Sequence, residues 1–265
     1  MAGMACHSWA VAFHWQMRLP IHGRVRPMSP SNVALSTKSR MDCLLDSMRR
    51  PCCCGGQWTA FVEGALVANA VDAEALAHDF HESFLKGRCE TVPVIVLSGL
   101  HGGEGKSLLY SPIPAVLGDD YVQEGLATGQ FPMVGLETKK AVILNEWNFE
   151  YGPLPMSTQL LWFEGKPVPI TRPQITDAYY GHCKYKGSAP LFVTSPLKTL
   201  EPLMERASEA IAGGLPSELT MLMRRLRVYK FTARTQAPAQ QLPPCARCFA
   251  AFVFQGEAAY CQRGQ

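Results

Sequence analysis

The residues best suited to chemistry lie in a glycine-rich stretch, residues 99–107, which reads Gly-Leu-His-Gly-Gly-Glu-Gly-Lys-Ser. The stretch follows a short apolar run, residues 92–97, that is typical of a buried strand, and it precedes residues that can open a helix. A glycine-rich turn between a strand and a helix, ending in Gly-Lys-Ser, is typical of a loop that binds phosphate groups. Glycines allow backbone N–H groups to surround phosphate oxygens, and the helix N-terminus adds positive potential.

Two side chains of this loop have expected roles in binding a nucleotide. Lys106 would reach the β- and γ-phosphates, and Ser107 would ligate Mg²⁺. The other predicted nucleotide-binding residues are Gly99, Gly102, Gly103, Glu104 and Gly105. The usual spacing puts the first glycine where this chain has Leu100, so we expect a loop that is one residue longer or differently bent. A glycine-rich turn with a surface lysine is the alternative.

Composition limits the classes of protein to consider. The chain has 265 residues, 47% of them hydrophobic and 18% charged, which favours a folded protein of one medium domain with appendages or two small domains. The net charge of +3 permits nucleic-acid binding without favouring it. No apolar run approaches the ~20 residues of a membrane span, so we expect no membrane partner. The N-terminal residues lack the pattern of a secretory signal, so we expect a nuclear or cytoplasmic protein.

The pattern along the chain predicts three segments. Residues 1–50 mix proline with arginine, serine and methionine and are expected to form a poorly ordered lead-in. Residues 51–232 begin with helical periodicity and then alternate strands with helices, which predicts an α/β fold with a mostly parallel central sheet flanked by helices. Residues 233–265 are expected to form a linker and a small Cys-containing C-terminal tail.

Polar residues follow the predicted strands at 140–145 and 191–193. The carboxyl ends of parallel strands meet at one edge of a sheet, so these residues should lie near the phosphate loop. We expect Glu146 to orient an attacking water and Asn145 to hold Mg²⁺ through water. Ser195 either contacts the γ-phosphate or, with Pro196 after it, caps the next helix. Solvated polar residues at a strand end are the alternative.

Arg224 and Arg225 precede the last predicted strand, residues 228–231. An arginine from one subunit can stabilise transition-state charge in the site of its neighbour. On spacing alone, surface arginines at a helix end are the better explanation.

The order of these segments over about residues 58–232 resembles the superfamily 3 helicase domain, the AAA+-type ATPase module of parvovirus large non-structural proteins. The resemblance implies a P-loop NTPase fold that uses ATP and Mg²⁺. It also implies an ATP-dependent DNA helicase or translocase of a virus-like or integrated replication element. Family members assemble as rings, usually hexamers, on single-stranded DNA. The alternatives are a catalytically weak nucleotide- or nucleic-acid-binding remnant of such a helicase and a P-loop kinase.

The resemblance also assigns residues to motifs. It places Gly105, Lys106 and Ser107 in Walker A, and Asn145 and Glu146 in Walker B. It places Lys166 and Arg172 on a DNA-gripping hairpin, Ser195 on the sensor strand, and Arg224 or Arg225 at the arginine finger. Three departures, Leu100, Asn145 and Pro196, bear on hydrolysis more than on nucleotide binding.

The ten cysteines are expected to be reduced thiols or metal ligands. Cys245 and Cys248 have the spacing of a zinc-ligand pair. Cys261 is a candidate third ligand, and Cys52, Cys53 or Cys54 could complete a zinc site if the two regions meet. Free thiols are the alternative.

Overall fold

The structure is a computed structural model that describes residues 37–126, 132–171, 182–214, 217–235 and 242–263. Its helices are α1 (Arg40–Arg49), α2 (Gln57–Ala68), α3 (Ala73–Lys86), α4 (Lys106–Tyr110), α5 (Pro112–Leu117), α6 (Met156–Phe163), α7 (Leu197–Ala212), α8 (Glu218–Arg224) and α9 (Ala246–Arg263). Its strands are β1 (Val94–Gly99), β2 (Val122–Glu124), β3 (Ala141–Leu144), β4 (Val168–Thr171), β5 (His182–Tyr185), β6 (Leu191–Pro196) and β7 (Leu226–Phe231). Within the described ranges, every helix is too short or too polar to cross a membrane.

Five strands form a central sheet in the order β2-β3-β6-β1-β7, and every neighbouring pair is parallel. Gly99 at the end of β1 lies opposite Pro196 of β6 and Phe231 of β7. The chain segments that follow β1, β3 and β6 therefore emerge at one edge, the carboxyl edge. The predicted α/β fold with a mostly parallel sheet is confirmed.

The sheet separates two hydrophobic cores. All six residues of β1 are buried, and its side chains alternate between the faces, as the strand period of two requires. Ile95 and Leu97 point into the core formed with α1 to α5 and α9. Val94 and Val96 point into the core formed with β4 and helices α6 to α8. Both faces of the sheet are covered, which is why its central strands read as continuous apolar runs.

The C-terminal segment expected to form a small Cys-containing tail contains helix α9, which packs into the first core. Phe249 and Val253 are fully buried. At Gly256 the helix approaches α3 so closely that a Cβ atom would collide with the backbone of Ala77 and His78. This helix could not be recognised from the sequence, because its first turns are almost uniformly apolar. They have no polar face and therefore show no helical periodicity of hydrophobic residues.

Part of the predicted disordered lead-in is also helical. Helix α1 begins with a capping box, in which the backbone N–H of Asp42 donates to the Ser39 hydroxyl over 3.1 Å and the N–H of Ser39 donates to the Asp42 carboxylate. Leu44 is fully buried, and the Arg40 guanidinium donates to the carbonyl of Phe84 at 2.9 Å. Residues 1–36 lie outside the described residues, and the division into domains stays a prediction.

Candidate functional site

A cavity of about 680 Å³ opens at the carboxyl edge of the sheet, within the range of about 300–1,000 Å³ typical of small-molecule sites. All of residues 99–107 line it. They are joined by Glu146 after β3 and by Pro196 and Lys198 around the start of α7. Leu242 and Pro244, which precede α9, complete the lining. The topology thus brings the predicted phosphate loop together with a carboxylate from a separate strand.

The structure explains the displaced glycine of the loop. Strand β1 runs through Gly99, and the N–H of Leu100 still donates to the carbonyl of Phe231 at 3.2 Å. A Cβ atom at Gly99 would collide with the Lys106 ammonium and the Glu104 carboxylate. The Leu100 side chain points away and is 47% exposed. The closest approach to the charged pair therefore occurs at position 99, and position 100 tolerates a side chain.

The loop holds an anionic group of its own. Glu104 is almost completely buried, and its carboxylate accepts hydrogen bonds from the backbone N–H of His101 and from the Lys106 ammonium. The ammonium also lies 3.4 Å from the carbonyl oxygen of His101. Lys106 itself is buried, so this ion pair is shielded from water. The donors of the loop converge on one negatively charged group, which is the arrangement that a phosphate requires.

The loop is also held by a residue that follows β7 at the same edge of the sheet, and the sequence analysis missed it. The backbone N–H and the hydroxyl of Thr235 donate to the carbonyl of Gly103 at 3.1 and 2.9 Å. Asn69 holds the same strand exit, because its side-chain oxygen accepts from the N–H groups of Thr232 and Ala233. Thr232 directly precedes the predicted linker, and Ala233 and Thr235 are among its first residues. Nothing in the local sequence indicates these contacts.

Glu146 is held in an unusual backbone conformation. Its φ angle is 51°, in the left-handed region, which costs a non-glycine residue about 1–3 kcal/mol. The backbone N–H of Glu146 donates to the Thr194 hydroxyl at 2.9 Å, and the N–H of Trp147 donates to the Thr194 carbonyl at 2.8 Å. The side chain of Glu146 is exposed and lines the cavity. Its neighbour Asn145 is also exposed but does not line the cavity.

Ser195 does not line the cavity, although a contact with the γ-phosphate was one of its two expected roles. Its side chain is fully buried, and its hydroxyl donates to the carbonyl of Trp147 at 2.8 Å. Its own carbonyl accepts from the Ser98 hydroxyl at 3.1 Å. Through its hydrogen bond to Trp147, Ser195 holds the backbone next to Glu146 in place. The polar side chain that β6 and α7 do present to the cavity is Lys198, the first charged residue after the strand, which the sequence analysis overlooked.

Arg224 and Arg225 lie at the opposite edge of the sheet. They precede Leu226, which pairs with Val94 at the amino end of β1. The six residues of β1 span five steps of ~3.3 Å, so a distance of about 16 Å separates this edge from the loop. Arg225 forms an ion pair with Glu164, whereas Arg224 ends α8 and is exposed. Neither arginine lines the cavity of its own chain.

Strands β4 and β5 form an antiparallel pair, whereas the expected hairpin lay within residues 165–173 and therefore contained only β4. Lys166, just before β4, is exposed and lies 2.6 Å from the Glu164 carboxylate. The hydrogen bond from Lys166 and the contact with Arg225 lower the pKa of Glu164, and the same bond raises the pKa of Lys166. Glu164 thus links the hairpin to the arginine edge. Arg172, the second predicted DNA contact, lies outside the described residues.

Arg88 fixes the base of this hairpin, a role that the sequence analysis missed. Its guanidinium donates to the carbonyls of Trp162 at 2.7 Å, Lys166 at 2.9 Å and Gly187 at 2.8 and 3.0 Å. It also lies 5.1 Å from the centre of the Tyr185 ring. Burial lowers the pKa of Arg88. This role could not be recognised from the sequence, because cations are common just after a helix C-terminus.

The structure brings Cys245 and Cys248 together with Cys52 and Cys54, and the sulfur atoms of these residues lie within 4.8 Å of one another. Cys53 is exposed and is not a member of this four-thiol cluster. The side chain of Cys261 lies outside the described residues.

Neither a protein-family model nor a curated protein matches the sequence. Among solved structures, the apo C-terminal region of NrS-1 is similar over 73% of this chain and 44% of that chain, at 16% identity and a TM-score of 0.48. The structure of JCV helicase is similar over 88% of this chain and 71% of that chain, at 10% identity and a TM-score of 0.41. The chain thus spans less than half the length of the NrS-1 region. Both likenesses are distant.

Proposed function

We propose that the chain is an ATP-dependent DNA helicase or translocase of a virus-like or integrated replication element, with its ATP site in the carboxyl-edge cavity. One observation carries the proposal: the loop of residues 99–107 holds a buried carboxylate with Lys106 and a backbone N–H group, and Glu146 lines the same cavity. A loop that binds one anion inside a cavity of nucleotide size can bind a phosphate group there.

Different residues around the loop bind the phosphates and the Mg²⁺ ion of ATP. Lys106 leaves Glu104 and binds the β- and γ-phosphates, and the backbone N–H groups of the glycine-rich turn surround the remaining oxygens. Mg²⁺ bound with the nucleotide neutralises phosphate charge, and Ser107, with Asn145 acting through water, would hold it. Lys198 adds a second cation to the lining of the cavity.

Glu146 orients the water that attacks the γ-phosphate. A general base must lie within hydrogen-bond reach of its water, so its backbone position matters as much as its charge. Thr194 binds the backbone N–H of Glu146, and Ser195 binds the carbonyl of the following residue. These two bonds keep the carboxylate at the rim of the cavity at the cost of a left-handed φ angle.

Assembly completes the site. Arg224 and Arg225 lie about 16 Å from the loop of their own chain, so either of them can act as an arginine finger only in the site of a neighbouring copy. Head-to-tail contacts of this kind close into rings, and we propose a hexamer around single-stranded DNA. Lys166 at the base of the β4–β5 hairpin contacts the DNA backbone, with Arg172 as a second contact.

Hydrolysis measured with and without single-stranded DNA tests this function. We expect the wild-type chain to hydrolyse ATP faster when DNA is present. Glu146→Gln should bind ATP but hydrolyse it at least about 100-fold more slowly, because general-base catalysis contributes about 10²–10⁴-fold. Glu150→Gln is the matched control, since Glu150 belongs to the same loop but pairs with Arg206 outside the cavity.

The result also separates the helicase from the remnant. ATP binding without hydrolysis by the wild-type chain supports a remnant that keeps the fold and the phosphate loop. Equal hydrolysis by wild type and Glu146→Gln contradicts the role of Glu146.

A further inference from the structure

Four thiols from the two ends of the described chain meet at one point. Cys52 and Cys54 precede α2, and Cys245 and Cys248 lie at the start of α9, 193 residues further on. Their measured Sγ–Sγ separations are 3.7 Å for Cys52–Cys54, 3.9 Å for Cys52–Cys245, and 3.5 Å from Cys248 to both Cys52 and Cys54. Four cysteines so far apart in the sequence come together only if an interaction among their thiols stabilises the arrangement.

We propose that Cys52, Cys54, Cys245 and Cys248 form a closed structural zinc site. Zinc prefers four thiolates at about 2.3 Å in a tetrahedron, whose edges are then about 3.8 Å long. The observed separations bracket this value. They are far longer than the ~2.05 Å of a disulfide, and the structure has all four cysteines as free thiols. The spacing therefore fits a shared ion better than a covalent bond.

Burial makes the site structural rather than catalytic. The residue surface of Cys245 is 1% exposed, that of Cys54 is 6% and that of Cys248 is 8%. With four protein ligands and this little exposure, no coordination position is left for a substrate. Binding releases the thiol protons, so four thiolates surround a dication. The N-terminus of the long helix α9 offsets part of the remaining negative charge, because Cys245 directly precedes its first residue.

The proposed zinc site attaches helix α9 to the segment that precedes α2. It closes a loop of almost two hundred residues and anchors the start of α9, whose buried residues Phe249 and Val253 belong to the first core. Leu242 and Pro244, directly before Cys245, form one wall of the cavity. An ion at this point therefore fixes α9 and that wall to the segment before α2. Because metal binding is coupled to folding at such sites, metal removal should destabilise the whole chain.

Metal content and thermal unfolding of the purified, reduced chain test this proposal. We expect one zinc ion per chain by elemental analysis, and a lower melting temperature after chelation that is restored by added Zn²⁺. Cys54→Ser and Cys248→Ser should lose the ion. Cys53→Ser is the matched control and should keep it, since Cys53 is exposed and lies outside the cluster.

A second measurement needs no substitution and remains decisive if the serine variants fail to fold. Co²⁺ added to the reduced, metal-depleted wild-type chain should give the intense visible absorption of tetrahedral cobalt thiolates, and Zn²⁺ should abolish it. A wild-type chain that contains no zinc and gives no such absorption would overturn the proposal. So would a Cys53→Ser variant that loses as much metal as Cys54→Ser.

Discussion

In the proposed ATP site, the Glu104 carboxylate holds the two donors, Lys106 and the His101 N–H, that a phosphate group would need. Its charge competes with the phosphate for Lys106 and the His101 N–H, so Glu104→Gln should strengthen ATP binding. A hydrogen bond to a charged group contributes about 1.5–3 kcal/mol, so we expect a Kd about tenfold lower by calorimetry. Glu63→Gln, on the exposed side of α2, is the control and should leave the Kd unchanged. Weaker binding by Glu104→Gln would show that this carboxylate supports the nucleotide rather than competing with it.

The placement of Lys106 and Glu146 at one cavity could be predicted from the sequence, whereas contacts made by residues from elsewhere in the chain could not. The spacing of Gly-Lys-Ser indicated Lys106 directly, and the end of a buried strand indicated Glu146. Thr235 and Arg88 act through hydrogen bonds to carbonyls, which any sequence can offer, so their roles leave no local signal. Two roles stayed open for Ser195 because the sequence does not show where a hydroxyl at a strand end will point.

At the scale of elements, the β4–β5 hairpin is the proposed DNA contact, and Lys166 is its exposed cation. Lys166→Ala should weaken binding to single-stranded DNA and lower the slope of log K against log salt by roughly 0.7, the value for one phosphate contact. ATP affinity should stay the same, because Lys166 and the phosphate loop lie at opposite edges of the sheet. A salt titration of DNA binding by fluorescence anisotropy measures both the affinity and the slope.

Lys86→Ala is the control for this prediction. Lys86 is also exposed and paired with a carboxylate, that of Glu82, but it lies at the end of α3. If the salt dependence of DNA binding has the same slope for wild type and Lys166→Ala, the base of the hairpin does not contact DNA.

Elements with a clear period were predictable, such as α7 (Leu197–Ala212), whose buried residues Leu197, Leu200, Leu203 and Ala207 recur at helical intervals. The buried strands were recognisable because a covered parallel sheet produces continuous apolar runs. Helices α1 and α9 were not recognised. Helix α1 is only ten residues long and follows a stretch without pattern, and α9 opens with small and apolar residues that are buried nearly all round.

At the scale of the whole molecule, the separation of loop and arginines predicts function between subunits. Lys106→Ala and Arg224→Ala should each be inactive alone, and mixing them should restore some ATP hydrolysis. In an equal mixture, about a quarter of the head-to-tail interfaces pair an intact loop with an intact arginine. Arg224 suits this test better than Arg225, because Arg225 is held by Glu164 and its removal would disturb the fold. An absence of recovery, with rings present by native mass, would assign the finger to another residue.

The central claim is that residues 99–107 bind the phosphates of ATP. The most direct measurement is a calorimetric titration of Mg-ATP into the wild-type chain and into Lys106→Ala, with circular dichroism to show that both are folded. The account predicts one ATP per wild-type chain and no measurable binding to folded Lys106→Ala, because the variant lacks the cation that meets the β- and γ-phosphates. Equal affinity of the two chains for ATP, or no binding by the wild-type chain, would contradict it.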